Sequence, residues 1–269
     1  MSISNTKSII LFILIVITTC TWYTTAGHAI IVSDGLVSYW TFDQSTIEGD
    51  TVKDIFGNND GTIMGKPEVV EGVIGEALHF NGVDDYVEVL SDESLKLQDE
   101  FTVETWIKGD SEPDTNSGYS QWLFKGHDDE NYSFSWDHAQ GEFTQSIAFY
   151  TGAEWPVAQI GEVLEGEEWY HIVGTWDGNN LMIYLNGVLS GETKVAGTPL
   201  IDDIPLSIGS GTDGGSPAYE FPGAIDEVKI YNRALTADEV LNNFNDNEQL
   251  AVVSAATKLP VSWGRIKKR

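Results

Sequence analysis

The stretch GEALHFNGVDDYVEV, residues Gly75–Val89, and the stretch GAIDEVKIYNRALTADEV, residues Gly223–Val240, decide the fold of this chain. Each alternates apolar and polar residues, as a β-strand with one buried face does. Because side chains repeat every second residue, we expect Asp226 to share a strand face with Val228 and Ile230. A carboxylate that faces a core is costly unless backbone donors, an opposite charge or a metal satisfies it. The two segments therefore predict β-strands that identify the fold, and an ion site at their aspartates.

Short runs of the same kind continue on both sides of these segments. The runs WYHIVGTW and LMIYLNG flank Asp177–Asn180, a pattern that predicts a β-hairpin. Thr236 and Glu239 form a Thr-x-x-Glu capping box ahead of one short amphipathic helix. Regular short strands separated by Asn, Asp and Gly turns predict an all-β fold, a two-sheet antiparallel jelly-roll β-sandwich with one short C-terminal helix.

The two ends of the chain differ from this β region in composition. A basic residue, a short apolar run and the small-residue pair around His28 predict a secretory signal peptide over residues 1–29. Cleavage after Ala26 and a lipoprotein signal at Cys20 are the alternatives. Residues 248–269 predict a linker with a basic tail, either a sorting or anchoring tail or a disordered terminus.

Charge and cysteine usage narrow the class of protein. The chain has 42 acidic and 14 basic residues and a formal net charge of −28, which rules against nucleic acid and anionic membranes as partners. Cys20 is its single cysteine and would leave with the signal peptide, so core size or a metal must hold the mature fold. We expect a secreted or cell-surface protein that does not insert into the membrane after signal cleavage.

Several motifs in their order along the chain resemble a known family. They read YWTFD, GxALxFxGxDDYVxV, FTVExWIK, WYHIVGTWDGxxLxIYLNG and IDEVxIYNRALTxxEV. Together they resemble the LamG-like (laminin G-like) jelly-roll domains of the concanavalin A-like lectin/glucanase superfamily, over residues 30–247. The resemblance implies a sandwich of two curved antiparallel sheets. It also implies a secreted module that binds carbohydrate or protein, in many cases with calcium.

Catalysis is the function that the sequence favours least. The resemblance implies that glucanases of this fold carry a Glu-x-Asp-x-x-Glu pattern on one strand, and this chain has no such pattern. Retaining hydrolysis needs two carboxyl groups about 5 Å apart across the sugar. The sequence therefore predicts a module that is not an enzyme.

Two calcium sites compete on sequence grounds, because calcium prefers oxygen ligands and loops supply them. The first would use Asp226 with Asp84 or Asp85 as a structural ion that joins strand ends. The alternative interpretation is that these aspartates only cap turns.

The second calcium site rests on a more distant resemblance. The loops KGHDDENYSF and IGSGTDGG resemble the two calcium-carrying loops of pentraxins, which share the sandwich. The resemblance implies Asp129 and Asn131 in the first loop and Asp213 in the second as ligands. The pentraxin acidic triplet is not reproduced around Asp213.

Sugar binding would need aromatic rings exposed beside polar groups. Trp122, Trp136 and Trp155 are the candidates, since polar residues surround them in the middle of the chain. Pro156 follows Trp155 and marks an edge or loop position where a ring stays exposed. Burial between the sheets is the alternative for each tryptophan.

The sequence thus leads to one hypothesis with two alternatives. The first is a secreted, non-catalytic module that recognises carbohydrate or a glycosylated surface, with calcium as its candidate cofactor. The second is an adhesion or matrix protein that binds another protein. The third is a glycoside hydrolase of the same fold.

Overall fold

A computed structural model of the chain describes residues 32–110, 119–126, 132–139, 142–162, 164–213 and 216–245. The signal peptide and the basic tail lie outside these residues, so both stay predictions, as do the domain limits 30–247. Within the described ranges, no helix has the length and apolar character needed to cross a membrane.

The described residues form β-strands joined by turns, two short 3-10 helices (Gln44–Thr46 and Glu93–Leu95) and one α-helix, α1, at residues 237–245. In chain order the strands are β1 (Leu36–Trp40), β2 (Ile47–Glu48), β3 (Thr51–Val52), β4 (Gly61–Met64), β5 (Glu68–Glu71), β6 (Glu76–Asn81), β7 (Tyr86–Val89), β8 (Phe101–Gly109), β9 (Tyr119–Lys125), β10 (Tyr132–Ala139), β11 (Glu142–Phe149), β12 (Val157–Gln159), β13 (Tyr170–Trp176), β14 (Asn180–Leu185), β15 (Val188–Lys194), β16 (Leu206–Ile208), β17 (Gly211–Asp213), β18 (Ser216–Ala218) and β19 (Pro222–Tyr231).

The described strands form two large antiparallel sheets and one separate hairpin. The first sheet has the order β15-β14-β13-β8-β19-β6-β5, and β1 pairs with β19 beside it. The second sheet has the order β12-β11-β10-β9-β16-β7-β4-β3-β2, and β17 and β18 form a separate hairpin. The prediction of an all-β antiparallel sandwich with a C-terminal helix is therefore confirmed.

The core between the sheets is rich in aromatic side chains. Phe149 meets Trp176 edge-on with 5.0 Å between ring centroids, and Phe101 with 6.3 Å. Edge-to-face pairs at such distances pack well and add to the stabilisation from burial. These rings belong to one continuous core cluster that extends through both sheets.

The hairpin predicted at Asp177–Asn180 is confirmed as the connection between β13 and β14. Oδ1 of Asp177 accepts hydrogen bonds from the backbone N–H groups of Asn179 at 2.8 Å and Asn180 at 2.7 Å. An aspartate that bonds the backbone two and three residues ahead fixes a tight turn. In the first sheet β13 therefore lies between β14 and β8.

The capping box is confirmed at the start of α1. Thr236 Oγ1 accepts from the backbone N–H of Glu239 at 3.3 Å, and Glu239 Oε2 accepts from that of Thr236 at 2.8 Å. The guanidinium of Arg233 donates to both carboxylate oxygens of Glu239 at 2.7 and 2.9 Å and lowers the pKa of Glu239 to about 2. These bonds hold the helix against the outer face of the first sheet, over Val173 and Tyr231.

A β-bulge in β19 overturns one expectation. The register of β19 against β8 shifts between Asp226 and Lys229, and Glu227 has a φ of 56°. Val228 and Ile230 lie in the main core together with Ile225, whereas Asp226 bonds the loop at residues 72–75. The prediction that Asp226 shares a face with Val228 and Ile230 was wrong, because a bulge adds one residue and breaks the alternation.

A buried charge cluster lies on the outer face of the first sheet, under α1. Lys229 Nζ donates to Oε1 of Glu104 at 3.0 Å, and Oε2 of Glu104 accepts from the amide of Asn243 at 2.6 Å. Glu227 lies 3.7 Å from Lys229 Nζ and accepts from the Tyr39 hydroxyl. The side chains of Glu104 and Lys229 have no exposed surface. Their charges therefore depend on one another for stabilisation.

Candidate functional site

An open groove lies on the second sheet, on the face turned away from the core. Strands β7 and β16 form its floor, and the β17–β18 hairpin stands at its side. Its polar side chains come from Tyr86, Glu88, Ser207 and Thr212. Pro205 and Pro217 add rigid apolar surface to its lining.

Strand alternation explains why these side chains reach the groove. Val87 and Val89 of β7 are fully buried in the core, so Tyr86 and Glu88 point to the other face of the sheet. Glu88 lies opposite Ser207 on β16. The motif YVEV contained this alternation, and the same pattern could have identified the pair from the sequence.

The groove combines an aromatic ring with hydrogen-bonding groups. Partial burial, and then the nearby carboxylate of Glu88, raises the pKa of the Tyr86 hydroxyl above its ordinary value, so the hydroxyl stays protonated at neutral pH. The hydroxyls of Ser207 and Ser210 lie 2.7 Å apart, and Thr212 donates to the carbonyl of Gly126 at 3.4 Å. A ring face beside hydroxyl and carboxylate groups suits a ligand that has both C–H and O–H surfaces.

The three tryptophans predicted as sugar platforms have different positions. Trp122 is fully buried in the core and offers no ring face to a ligand, which corrects its assignment as a platform. Its neighbour Leu123 is also in the core, so β9 departs from strict alternation there. Trp136 lies on β10, and its side chain falls outside the described part of the structure. Trp155 keeps 37% of its surface exposed.

Trp155 does not stand alone at the surface. Its ring stacks on that of Tyr150, with 5.3 Å between centroids and 29° between planes. Thr151 and Glu154 close the turn between these two rings through a backbone hydrogen bond of 3.1 Å. The stack holds the indole in one orientation, and Trp155 stays a predicted platform separate from the residues that line the groove.

The loop calcium site stays a prediction. Asp129 and Asn131 lie outside the described residues. Asp213 ends β17, where its side chain is exposed. No group of three or more Asp, Glu, His or Cys in the described ranges has an arrangement that could hold a metal ion.

The aspartates of the other predicted calcium site do not come together. Asp85 accepts from the backbone N–H groups of Lys66 at 2.5 Å and Asn81 at 3.1 Å. Asp84 accepts from the side-chain amide of Asn81 at 2.8 Å. Asp226 instead bonds the loop at residues 72–75. Asp84 and Asp85 therefore stabilise the β6–β7 turn, while Asp226 belongs to a different loop.

Asp226 has a buried carboxylate oxygen without a hydrogen-bond donor. Its Oδ2 accepts from the backbone N–H groups of Val73 at 2.8 Å and Ile74 at 3.2 Å, but its buried Oδ1 has no hydrogen-bond partner. Burial, and then the charge of Glu227, raises the pKa of Asp226 well above its ordinary value, and Asp43 adds to this effect. A buried oxygen in this position is costly unless a proton or a cation satisfies it.

Sequence comparison adds a family to this geometry. A family model, Laminin_G_3, described as the concanavalin A-like lectin/glucanases superfamily, matches residues 81–241. The chain belongs to this superfamily. The match includes β7, β16 and β17 of the groove and the whole of β19. A comparison with curated proteins found no match to the chain.

Solved structures share the fold of this superfamily member at low sequence identity. Domain 4 of a GH43 extracellular arabinanase from Geobacillus stearothermophilus, in complex with arabinotriose, has a TM-score of 0.61 and 20% identity over 77% of this chain and 97% of that domain. The binding domain of Paraclostridial Mosquitocidal Protein 1 has a TM-score of 0.62 and 18% identity over 79% of this chain and 52% of that one. This chain therefore spans about half of the toxin domain.

An enzyme shares the fold as well. Trypanosoma rangeli sialidase in complex with sialic acid has a TM-score of 0.61 and 22% identity, over 82% of this chain and 34% of the sialidase. The fold is thus shared by domains that bind ligands and by a protein named as a sialidase. Identity at this level shows the fold alone.

Proposed function

We propose that the chain is a secreted, non-catalytic carbohydrate-binding module whose ligand occupies the groove on the second sheet. In this groove the Tyr86 ring lies beside the polar side chains of Glu88, Ser207 and Thr212, and the proposal rests on this combination. Sugars present C–H faces that pack on aromatic rings and hydroxyls that bond polar side chains. The complex of the arabinanase domain with arabinotriose makes a carbohydrate a reasonable ligand class for this fold.

The groove supports binding better than hydrolysis. Glycoside hydrolysis in most families needs a pair of carboxyl groups on either side of the scissile bond. Among the described residues that line the groove, Glu88 is the single carboxylate.

We also propose calcium as a structural cofactor, held by Asp226 and Asp43. The unpartnered Oδ1 of Asp226 supports this site. Oδ1 of Asp43 accepts from the backbone N–H of Glu76 at 2.8 Å, so the segment after β1 already reaches the start of β6. The ion would neutralise the two carboxylates and join that segment to β19. Its effect would be on stability rather than on the chemistry of a ligand.

Binding tests the proposed function directly. Tyr86→Ala should weaken binding of every glycan that the full-length protein recognises on a glycan array by about tenfold or more, because aromatic anchors dominate such contacts. Titration calorimetry with the strongest array ligand gives the ratio of dissociation constants. Trp155→Ala is the matched control, since it removes an exposed aromatic ring outside the groove lining.

Two results would contradict the proposal. If no glycan binds the wild-type protein, with calcium or with a chelator, then carbohydrate binding is wrong. If Trp155→Ala abolishes binding and Tyr86→Ala leaves it unchanged, then the ligand occupies the Tyr150–Trp155 stack instead of the groove.

A further inference from the structure

The charge of the groove decides which sugars it can hold. Glu88 is the one charged side chain among the described residues that line it, and no lysine or arginine joins it there. The whole chain adds a formal net charge of −28. A ligand in the groove therefore meets one negative side chain, on a protein with a strongly negative field.

The lysine of the neighbouring strand β9 and the one arginine among the described residues are both engaged by other groups. Lys125 of β9 lies opposite Leu206 of β16. Its buried ammonium donates to the carbonyl of Ile204 and lies 3.4 Å from a carboxylate oxygen of Asp202. Arg233 donates to both carboxylate oxygens of Glu239 at the start of α1, on the first sheet and not on the sheet that carries the groove. Neither of these side chains is free to bind an anion in the groove.

Binding of an acidic sugar needs a positively charged side chain, and none of the described residues that line the groove has one. Carboxylates are bound in proteins mainly by the two-pronged hydrogen bonds of arginine, or by the point charge of lysine. Of the three arginines in the sequence, Arg265 and Arg269 lie outside the described residues. A carboxylated sugar in the groove would instead meet the like charge of Glu88.

The side chains of the groove suit a neutral sugar better than an acidic one. The hydroxyl groups of a sugar donate hydrogen bonds, and a carboxylate is a stronger acceptor than a neutral oxygen. Ser207 and Thr212 add hydroxyls that can donate or accept. The Tyr86 ring needs no charge on its partner.

We infer that the groove selects neutral glycans and rejects those that end in sialic or uronic acid. This selectivity rests on the proposed function, since it concerns the same groove. It assigns Glu88 two roles: acceptor for sugar hydroxyls and barrier to carboxylates. The Tyr86 ring would then supply affinity without selecting for charge.

Matched glycan pairs test the inference. The full-length protein is applied to an array that carries each glycan with and without a terminal sialic acid, such as lactose and 3′-sialyllactose, and affinities are measured for the pairs that bind. Each sialylated form should bind at least about tenfold more weakly than its neutral parent. The difference should shrink when the NaCl concentration rises from about 0.05 to about 0.5 M, because salt screens the repulsion.

Substitution of Glu88 separates charge from shape. Glu88→Gln should weaken binding of the neutral glycan and reduce the penalty for the sialylated one, and Glu88→Lys should reduce that penalty further. Glu68→Gln is the control, because it removes one negative charge from an exposed position on β5 in the other sheet. It should leave the ratio between neutral and sialylated glycans unchanged.

The failures of the inference and of the proposed function can be told apart. Equal or tighter binding of sialylated glycans by the wild-type protein overturns the selectivity and leaves carbohydrate binding intact. A ratio that Glu88→Gln and Glu68→Gln change equally also overturns it, since the effect would then come from overall charge. An array without any bound glycan overturns both.

Discussion

Glu104→Gln is expected to lower the free energy of unfolding by about 3–5 kcal/mol, because it removes one partner of a buried ion pair. The substitution keeps the size of the side chain but leaves the ammonium of Lys229, which has no exposed surface, without its nearest carboxylate at 3.0 Å. Glu227, at 3.7 Å, compensates only in part. Urea unfolding followed by tryptophan fluorescence measures the loss.

An exposed ion pair gives the matched control. Lys96 Nζ lies 2.6 Å from Glu93 Oε1, closer than the buried pair, but the Glu93 side chain is 87% exposed. Exposed pairs contribute about 0–1 kcal/mol, so Glu93→Gln should change stability by no more than that. If Glu104→Gln costs as little as Glu93→Gln, the buried cluster does not hold the first sheet as argued.

A milder variant keeps the test usable if Glu104→Gln does not fold. Asn243→Ala removes the hydrogen bond that α1 donates to Oε2 of Glu104 at 2.6 Å. Hydrogen bonds to charged groups contribute about 1.5–3 kcal/mol, so its loss should lie between those of the other two variants. Any other order of the three losses contradicts the assignment.

The contribution of Glu104 should also depend on pH. Burial alone would raise its pKa, but Lys229 and then His171 outweigh burial and lower the pKa from 4.5 to about 2. A lowered folded-state pKa means that this stabilisation is complete above the unfolded value and is lost as pH falls toward 2. The stability difference between wild type and Glu104→Gln should therefore shrink between pH 4.5 and pH 2 in urea titrations. A difference that stays constant across this range contradicts the assignment.

The sequence predicted the architecture well because the sandwich depends on local patterns. Period-two alternation, Asn-Gly and Asp-Gly turns and a capping box are each encoded within a few residues. The β13–β14 hairpin and the start of α1 followed from such patterns. The same alternation in YVEV pointed Tyr86 and Glu88 out of the core, although the groove also needs β16 and the β17–β18 hairpin from the distant part of the chain.

The sequence predicted the side chains of β19 and β9 less well, for a physical reason. The bulge at Glu227 turns Val228 and Asp226 to different faces, and Glu227 is not the glycine that would have marked a positive φ. In β9, the adjacent residues Trp122 and Leu123 both enter the core. Irregular register depends on the packing of the whole sandwich, so a local pattern cannot reveal it.

Calcium is expected to raise the melting temperature of the wild-type protein by about 5–10 °C at 100 times its dissociation constant. Asp226→Asn should abolish this rise, because the proposed ion depends on the unpartnered Oδ1. Differential scanning calorimetry in calcium and in chelator measures both proteins. Asp84→Asn is the matched control, since Asp84 bonds only the β6–β7 turn among the contacts described, and it should leave the calcium shift intact.

In the absence of calcium, Asp226→Asn is expected to raise the free energy of unfolding at neutral pH. Burial and Glu227 raise the pKa of Asp226, so the native state binds the proton more tightly than the unfolded state does. An acid with a raised folded-state pKa loses stability as pH rises above its unfolded value. Asparagine carries no charge and does not incur this loss, although its amide needs an acceptor such as Asp43.

The two directions together distinguish an ion site from a buried acid that simply keeps its proton. A calcium shift that survives Asp226→Asn but disappears in Asp213→Asn would place the ion in the loop after β17 and refute the site at Asp226. No calcium shift in the wild type, together with higher stability of Asp226→Asn in chelator, would mean that Asp226 is a protonated acid and that the fold holds without a metal. Only loss of the shift in Asp226→Asn together with its retention in Asp84→Asn and Asp213→Asn supports an ion between β19 and the segment that follows β1.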